Sequence, residues 1–357
     1  MLKKLKIINT VYGDATGGRW QAMLNMADTL EQYGHEIILV RGEENAHLSS
    51  GNRPITVLQN RGFYSTSAAL RMRKWLKAQQ PDLIIAHSGR AVWLFKNATM
   101  GMNIPVIAVN HSHNVKRTVR ADAFIHITPH VAHLVQTLQT EVARKNKPQQ
   151  VISNLIHLPD EPAEPALIGQ PPMVLMLTRM IETKGVHILI EAIHLLKQKG
   201  IQVRAVLAGD GELKQHYEKM VQDYQLGDQI EFPGWVNSEQ KVALYHQADF
   251  VAVPSLADIQ PLGILDAFGW GKMVLSSDDI GPLQICQHQK NAWVSPVGDA
   301  QALADGIEHL INHPDDALML ATQAKKEALE RYCFAQIAKA HDAFVRQVYT
   351  HYHPSSS

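Results

Sequence analysis

The sequence predicts an α/β protein with two doubly wound domains, each a parallel sheet with helices on both faces. Short apolar runs alternate with helical patterns, which is typical of consecutive βαβ units. The alternation stops at a segment rich in proline and acid, PDEPAEPALIGQPP, and then starts again. A chain of 357 residues is also long enough for two hydrophobic cores, because single cores stop growing near about 250–300 residues.

We interpret the proline-rich segment as a linker between a first domain, 1–165, and a second domain, 166–334. Strands are predicted on both sides of it, and a solenoid-type repeat of short period is not found in the sequence. The predicted strands cover residues 5–9, 36–40, 83–86, 106–110 and 123–127 in the first domain, and 173–178, 202–208, 229–232, 250–253, 273–276 and 292–294 in the second.

The composition is that of an ordinary globular protein, with 45% hydrophobic and 19% charged residues. The only cysteines, Cys286 and Cys333, argue against a disulfide framework and favour a reducing, cytoplasmic location. The basic N-terminus is interpreted as a first strand and not as a signal peptide, because its apolar run is too short. None of the apolar runs reaches the ~18 residues that a membrane span needs.

The charge is unevenly distributed between the two predicted domains. Residues 1–165 carry 19 Lys and Arg against 12 Asp and Glu, a charge of +7, and the remainder carries −7. A solvated helix face and attraction to an anionic membrane surface or a phosphorylated acceptor are both open interpretations of the basic clusters. Without interleaved aromatic residues, nucleic acid is not an expected partner. The clusters comprise Arg71, Arg73, Lys74 and Lys77, and then Lys116, Arg117 and Arg120.

Two carboxylates follow a buried strand in the segment FVAVPSLADIQPLGILDAFGWGK. Asp258 lies in the loop after the strand, and Asp266 lies eight positions later in a predicted helix. In an open parallel sheet, ligands bind at the carboxyl ends of the strands. The segment therefore predicts a ligand site, although two acids at this spacing also occur by chance.

A second segment, VLMLTRMIETKGV, predicts a site for a diphosphate. The strand ends at Arg179, and Lys184-Gly185 opens the next helix, so two cations and a helix N-terminus converge. Fixed positive charge on both phosphates would stabilise a departing diphosphate. The alternative is ordinary surface charge.

Glycine-rich turns and one histidine complete the candidate site. Gly17 and Gly18 open a helix after the first strand, where backbone N–H groups can approach an anion, and a plain βα turn is the alternative. His111 follows the strand 106–110, with His113 and His87 as competing candidates.

Taken in order, these motifs resemble the retaining GT-B glycosyltransferases of glycosyltransferase family 4, also called group 1. The resemblance implies two Rossmann-like domains facing a central cleft, with the last helix, 335–352, packing back on the first domain. It implies that Arg179 and Lys184 clamp the donor diphosphate. Asp258 would bind the transferred sugar, Asp266 would bind the ribose, and His111 would lie near the sugar. The remaining donor-binding candidates are Gly17, Gly18, Gly209, Gly211, Trp235, Leu262 and Gly263.

The sequence departs from the family pattern in two places. Asp258 and Asp266 stand where the family usually has Glu, which keeps the charge and shortens the reach by about one methylene. In the segment SDDIGPLQ, only Gly281 remains of the usual Gly-Gly-acid pattern, and we find no counterpart of the acid.

The resemblance implies a retaining, hexosyltransferase-type enzyme that moves a sugar from a UDP- or GDP-sugar to a hydroxyl of a glycan or glycolipid. Lipopolysaccharide or another cell-surface polysaccharide is the expected product. Neither a cofactor nor an essential metal is expected, and the enzyme is expected in the cytoplasm or peripherally on the inner face of the membrane. A sugar-nucleotide epimerase on the same fold and a non-catalytic nucleotide-sugar-binding protein remain alternatives.

Overall fold

The computed structural model describes residues 3–13, 18–45, 48–59, 66–158 and 168–354. The chain forms two compact units, of which the first comprises Met1–Leu155 and Phe334–Ser357 and the second Ile156–Cys333. Each unit contains one parallel sheet with helices, which confirms the predicted α/β fold class. Most of the predicted linker lies outside the described residues.

Both sheets are entirely parallel in the described part of the chain. The first unit contributes β1 (Lys6–Val11), β2 (Glu36–Arg41), β3 (Ile55–Val57), β4 (Leu83–Ala86), β5 (Val106–Asn110), β6 (Ala123–His126) and β7 (Gln149–Val151), and the second contributes β8 (Met173–Leu177), β9 (Arg204–Ala208), β10 (Ile230–Gly234), β11 (Phe250–Val253), β12 (Met273–Ser277) and β13 (Trp293–Ser295).

Helices connect the strands, as parallel pairing requires. Polar caps start several of them: Ser88, Thr128 and Asp299 accept a backbone N–H of the first turn. The helices are α1 (Gly18–Gln32), α2 (Thr66–Gln79), α3 (Gly89–Ala98), α4 (Pro129–Leu138), α5 (Glu141–Asn146), α6 (Val186–Gln198), α7 (Lys214–Asp223), α8 (Ser238–Gln247), α9 (Leu262–Gly269), α10 (Ala300–Asn312), α11 (Pro314–Glu327) and α12 (Phe334–Tyr352).

The strand order creates one switch point in each sheet. The first sheet runs β3-β2-β1-β4-β5-β6-β7, so the chain reverses direction across the sheet between β1 and β4. The second runs β10-β9-β8-β11-β12-β13 and reverses between β8 and β11. Ligands of doubly wound sheets bind outside the carboxyl ends of the strands at such points. The loops after these four strands therefore contain the expected sites.

All eleven predicted strands are present, with boundaries that differ by at most two residues. Two strands were missed, β3 and β7, which each have three residues and lie at the two edges of the first sheet. Edge strands are less buried and carry a weak apolar signal, and β7 has the polar sequence QQV. The predicted strands β4, β5 and β6 are fully buried and form largely apolar runs. The edge strands β10 and β13 of the second sheet were predicted although they are less buried.

The second sheet shows this two-sided burial directly. Along β8, Val174 and Met176 belong to one hydrophobic core, and Met173 and Leu175 belong to the core on the opposite face. This alternation follows from the two-residue period of a strand. Because both faces are covered, the polar side chains of the site can lie only at the strand ends and in the loops.

The last helix, α12, belongs to the first unit and packs against α1. Thr29 Oγ1 lies 2.8 Å from His341 Nδ1, and His35 Nε2 lies 2.8 Å from Asp342 Oδ1. Burial lowers the pKa of His341 to about 3, so this imidazole is neutral at pH 7. The helix thus completes the core of the unit in which the chain begins.

Candidate functional site

In the second unit, the loops after β8 and β11 are packed together through a glycine. Gly185 has φ of 69°, and a Cβ added to it would lie 2.0 Å from the carbonyl oxygen of Pro254. The N–H of Leu256 donates to the carbonyl oxygen of Thr183 over 2.9 Å. Only glycine fits this approach, so the predicted Lys-Gly step fixes Lys184 beside the loop of the first carboxylate.

Lys184 and Asp258 form an ion pair at this junction. Lys184 Nζ donates to Asp258 Oδ2 over 2.5 Å, and the two side chains are 21% and 17% exposed. Asp258 Oδ1 accepts the N–H of Ile259 over 2.8 Å. One predicted cation and one predicted carboxylate are therefore in direct contact at the switch point of the second sheet.

Asp279 is a third charged residue of this site, and the sequence analysis missed it. Its Oδ2 accepts the N–H of Asp258 over 2.7 Å. A Cβ on Gly281 would lie 2.4 Å from the carbonyl oxygen of Asp258, so glycine is required there for packing. The available signal was position, because Asp279 lies two residues after the carboxyl end of β12.

Asp266 pairs with Lys241, which was also not predicted. Lys241 Nζ in α8 donates to Asp266 Oδ2 in α9 over 2.7 Å. Beneath this pair, Tyr245 is fully buried and its ring stacks on Trp270 with centroids 5.2 Å apart. Burial and then the charge of Asp266 raise the pKa of Tyr245 well above its usual value. Leu262 and Gly263 form the first turn of α9.

Arg179 follows β8 and is exposed. In the described part of the chain, its guanidinium has neither a hydrogen bond nor an ion pair, so its contact with the donor stays a prediction. Gly209 and Gly211 bring two loops together, since added Cβ atoms would lie 1.8 Å from the carbonyl oxygen of Thr178 and 2.5 Å from that of Met180. The two glycines thus hold the backbone on either side of Arg179.

Trp235 follows the carboxyl end of β10 and is 66% exposed. It therefore lies on the same side of the second sheet as Arg179 and Asp258, which also follow the carboxyl ends of strands. Asp249 lies at the other end of the strands, where β8 starts. Its carboxylate accepts the N–H groups of Gly169 and Met173 over 3.0 and 2.7 Å, just before β8 begins. Asp249 therefore fastens the start of the sheet.

In the first unit, the predicted glycine loop is only partly described. Gly17 lies outside the described residues, and Gly18 is the exposed first residue of α1. At the start of the loop, the N–H of Gly13 donates to Glu44 Oε1 over 2.5 Å, and Asn45 Nδ2 donates to the carbonyl oxygen of Gly13 over 2.9 Å. The turn after β2 therefore anchors this loop, and its binding role stays a prediction.

His111 lines a cavity of about 270 Å³ at the carboxyl ends of β1, β4 and β5. Its Nε2 lies 3.0 Å from Nδ1 of His87, so two of the three competing histidines are in contact. Burial and then the charge of Arg19 lower the pKa of His111 to about 3. His113 is exposed and lies edge-on to His130. The charged residues that line the cavity are Arg19, Arg90 and Arg117.

The basic clusters of the first unit differ in their surroundings. Arg73 donates to the carbonyl oxygens of Ala98 and Met100 at the end of α3, which is a structural role. Six of the seven clustered cations are exposed, namely Arg71, Lys74, Lys77, Lys116, Arg117 and Arg120. Attraction to an anionic surface stays a prediction for these residues.

Among the described residues, we find no group of three or more His, Cys, Asp or Glu side chains arranged to hold a metal ion. Of the helices that the structure describes, none combines the length and the apolar character needed to cross a bilayer.

Two family models match consecutive parts of this chain. The model for Glycosyltransferase Family 4 matches residues 16–158, and the model for Glycosyl transferases group 1 matches residues 159–327. Together the two models cover residues 16–327, and each describes a family of glycosyltransferases. The enzyme class predicted from the motifs is the class of both families.

Relatives of this chain include proteins of polysaccharide biosynthesis. The putative colanic acid biosynthesis glycosyltransferase WcaL of Salmonella typhimurium is 29% identical over 171 residues, which are 46% of this chain and 42% of WcaL. The lipopolysaccharide core biosynthesis glycosyltransferase LpsE of Rhizobium meliloti is 27% identical over 68% of this chain and 69% of LpsE. With WcaL and similar relatives, the matched segment spans only about two fifths of the relative's length.

Solved glycosyltransferase structures share the fold over nearly the whole chain. A glycosyltransferase from Rickettsia africae superposes with a TM-score of 0.79 at 17% identity, covering 99% of this chain and 100% of that one. HepE from Anabaena, solved in complex with UDP and glucose, superposes with a TM-score of 0.77 at 19% identity, covering 96% and 99%. These likenesses confirm the predicted GT-B fold class. The predicted central cleft stays a prediction.

Proposed function

We propose that this protein is a group 1 glycosyltransferase that transfers a sugar from a nucleotide diphosphate sugar to a hydroxyl of a glycan or glycolipid. The observation that carries the proposal is the contact of Lys184 with Asp258 at the switch point between β8 and β11. A sugar diphosphate has anionic phosphates beside a hydroxyl-rich ring, and this pair offers a cation and a hydrogen-bond acceptor side by side.

In the proposed donor site, the phosphates bind to Lys184 and Arg179. Asp258 accepts hydrogen bonds from hydroxyls of the transferred sugar, and Asp266 accepts hydrogen bonds from the ribose. The fixed positive charge stabilises the diphosphate as negative charge develops on the leaving oxygen. The UDP bound to the structural neighbour HepE supports a nucleotide donor of this kind.

The proposed reaction retains the configuration at the anomeric carbon. The bond between that carbon and the phosphate oxygen breaks, and the bond to the acceptor oxygen forms on the same face. The proton of the acceptor hydroxyl passes to the leaving phosphate oxygen, so the step balances without a protein base. This chemistry requires no cofactor, and an essential metal is not part of the proposal.

The proposed acceptor belongs to cell-surface polysaccharide or lipopolysaccharide biosynthesis. Support comes from relatives whose names place them in colanic acid and lipopolysaccharide core biosynthesis. The cavity of the first unit adds physical support, because His111 and Asn110 offer hydrogen-bonding groups to a hydroxyl-bearing ligand. Arg90 and Arg117 would favour an acceptor that carries negative charge.

A thermal-shift screen of UDP- and GDP-sugars, followed by product analysis, tests the proposal. A ligand that binds only the folded protein raises its stability by about 2.7 kcal/mol at 100 times its Kd, so the donor should raise Tm in a concentration-dependent way. NMR of the product should show the anomeric configuration of the donor, and a chelator should leave the rate unchanged. Inversion would contradict retention, and a strict Mg²⁺ requirement would contradict the metal-free step.

The same assay separates the two alternatives that the motifs leave open. An epimerase would convert the nucleotide sugar without an acceptor, and a binding protein would hold the donor without turnover. Neither has a specific observation in its favour in the described residues. Absence of a Tm shift with every nucleotide sugar would contradict all three functions.

A further inference from the structure

A hydrogen-bonded chain runs from a buried asparagine in β1 to His111. Asn9 Nδ2 donates to the carbonyl oxygen of Met23 over 2.8 Å. His87 Nε2 lies 2.9 Å from Asn9 Oδ1, and His87 Nδ1 lies 3.0 Å from His111 Nε2. Asn9 is 0% exposed and His87 is 1% exposed, so water does not compete for these bonds. The neighbouring strands β1, β4 and β5 place the three side chains in line.

The backbone carbonyl at one end gives this chain a direction. A carbonyl oxygen can only accept, so Met23 turns the amide group of Asn9 such that its oxygen faces His87. That oxygen can also only accept. His87, if neutral, therefore carries its single proton on Nε2 and offers Nδ1 as an acceptor. His111 must then donate from Nε2, which leaves its Nδ1 unprotonated.

Both imidazoles are in surroundings that favour the neutral form. Burial lowers the pKa of His111 to about 3 and the pKa of His87 well below its usual value. The charge of Arg19 acts in the same direction on both rings. The near-parallel rings, inclined by 17°, allow the hydrogen bond between their facing edges.

We propose that Asn9 and His87 are positioning residues that hold His111 in its Nε2–H tautomer, so that Nδ1 of His111 accepts a hydrogen bond from a substrate hydroxyl. In the described part of the chain, His87 is the sole hydrogen-bond partner of His111, which leaves Nδ1 for a ligand. The role toward substrate rests on the proposed function, whereas the tautomer does not. His111 would thus act as a neutral acceptor and not as a cation or a general acid.

The tautomer can be measured directly in the full-length protein. We would label the histidines with ¹⁵N, record long-range ¹H–¹⁵N spectra at pH 7, and assign the ring of His111 by its loss in His111→Gln. We expect a protonated Nε2 and an unprotonated Nδ1. A proton on Nδ1, or protons on both nitrogens, would overturn the inference.

The substitution Asn9→Asp should reverse the direction of the hydrogen bond between His87 and His111. A carboxylate cannot donate to Met23 and favours a protonated His87, which then donates from Nδ1 and moves the proton of His111 to its Nδ1. The control is His35→Gln, which removes a buried histidine that bonds to Leu5 and Asp342 and should leave the His111 spectrum unchanged. An unchanged His111 tautomer in Asn9→Asp would overturn the role of Asn9. If this variant does not fold, the wild-type spectrum decides.

Activity then tests the link to substrate. In Asn9→Asp, we expect kcat for sugar transfer to fall at least tenfold, while the Tm shift caused by UDP alone, proposed to bind in the second unit, stays as in the wild type. A wild-type kcat would overturn the role of His111 Nδ1 toward substrate. If the wild-type protein neither binds nor turns over any nucleotide sugar, that result counts against the proposed function. The tautomer measurement remains valid in that case.

Discussion

Lys184 and Asp258 are in direct contact at the carboxyl ends of the central strands of the second sheet, although 73 residues separate them in the sequence. Both side chains are mostly buried, so the ion pair is only weakly screened by solvent. In the proposed reaction, the cation and the carboxylate have separate partners, the diphosphate and the sugar. In the absence of ligand, the two charges neutralise each other.

Removal of the clamp cations should lower turnover much more than removal of a surface lysine. We expect Lys184→Ala and Arg179→Ala each to reduce kcat by about 10²-fold, which is the typical cost of losing one preorganised group that stabilises transition-state charge. Steady-state transfer assays at saturating donor measure this effect. The matched control is Lys219→Ala, whose exposed lysine pairs with Asp223 on α7. Equal turnover in all three variants would contradict the proposal that Arg179 and Lys184 bind the diphosphate.

Asp279 should matter for donor turnover because it anchors the loop of Asp258. We expect Asp279→Ala to lower kcat/KM for the donor by about 10-fold, since a lost hydrogen bond to a charged group costs about 1.5–3 kcal/mol. The neighbouring Asp278 caps a different backbone N–H, that of Val297, and Asp278→Ala is the control. The comparison of kcat/KM values decides. Similar losses in both variants would mean that Asp279 only supports the fold.

Gly281 should be intolerant of a side chain for steric reasons alone. Its backbone has an ordinary right-handed φ of −69°, and an added Cβ would lie 2.4 Å from the carbonyl oxygen of Asp258. We expect Gly281→Ala to lower the free energy of unfolding by about 1–3 kcal/mol, the usual range for overpacking. Gly227→Ala is the control, because a Cβ at that position meets nothing within 4 Å.

Urea unfolding measures both glycine variants. For Gly227→Ala, we expect the free energy of unfolding to be unchanged or raised by up to about 1 kcal/mol, because alanine restricts the unfolded chain. A Gly281→Ala protein as stable as Gly227→Ala would show that the two loops can separate without cost.

As the pH falls below about 6.5, the protein should lose stability, in part through His341. Its pKa is about 3 in the folded protein and about 6.5 in the unfolded chain, so between these values only the unfolded chain binds the proton. The contribution of His341 to the free energy of unfolding therefore rises with pH in this window and is lost as the pH falls toward 3. Near pH 4.5, we expect the slope for His341→Gln to be shallower by about 1.4 kcal/mol per pH unit. Urea unfolding at several pH values measures the slopes, and equal slopes would contradict this prediction.

The fold was predictable because the strands of a doubly wound sheet are buried on both faces. Runs such as the four residues of β4, all fully buried, stand out in the sequence. The short edge strands β3 and β7 do not form such runs, because their residues are only partly buried and need not be apolar. The division of the chain after Leu155 depends on contacts formed far along the sequence, and the predicted domain bounds of 1–165 and 166–334 stay a prediction.

The candidate site was predictable where a residue type is tied to a strand end, as for Lys184, Asp258 and His111. It was not predictable where the partner comes from another element. Lys241 looked like an ordinary helix-surface lysine until α8 was placed beside α9. The link from Asn9 to His87 crosses 78 residues and depends on the sheet order, which periodicity alone does not give. The donor, the acceptor and the chemistry at His111 still depend on the experiments above.

The placement of α12 in the first unit has a consequence for biosynthesis. A ribosome completes the whole of the second unit before it makes Phe334–Tyr352, and domains generally fold as units while synthesis proceeds. The second unit should therefore reach its native state first, although it is encoded later. Until α12 is synthesised, the nascent first unit exposes the surface of α1 that α12 covers, and we expect the polypeptide to be most prone to aggregate in this interval.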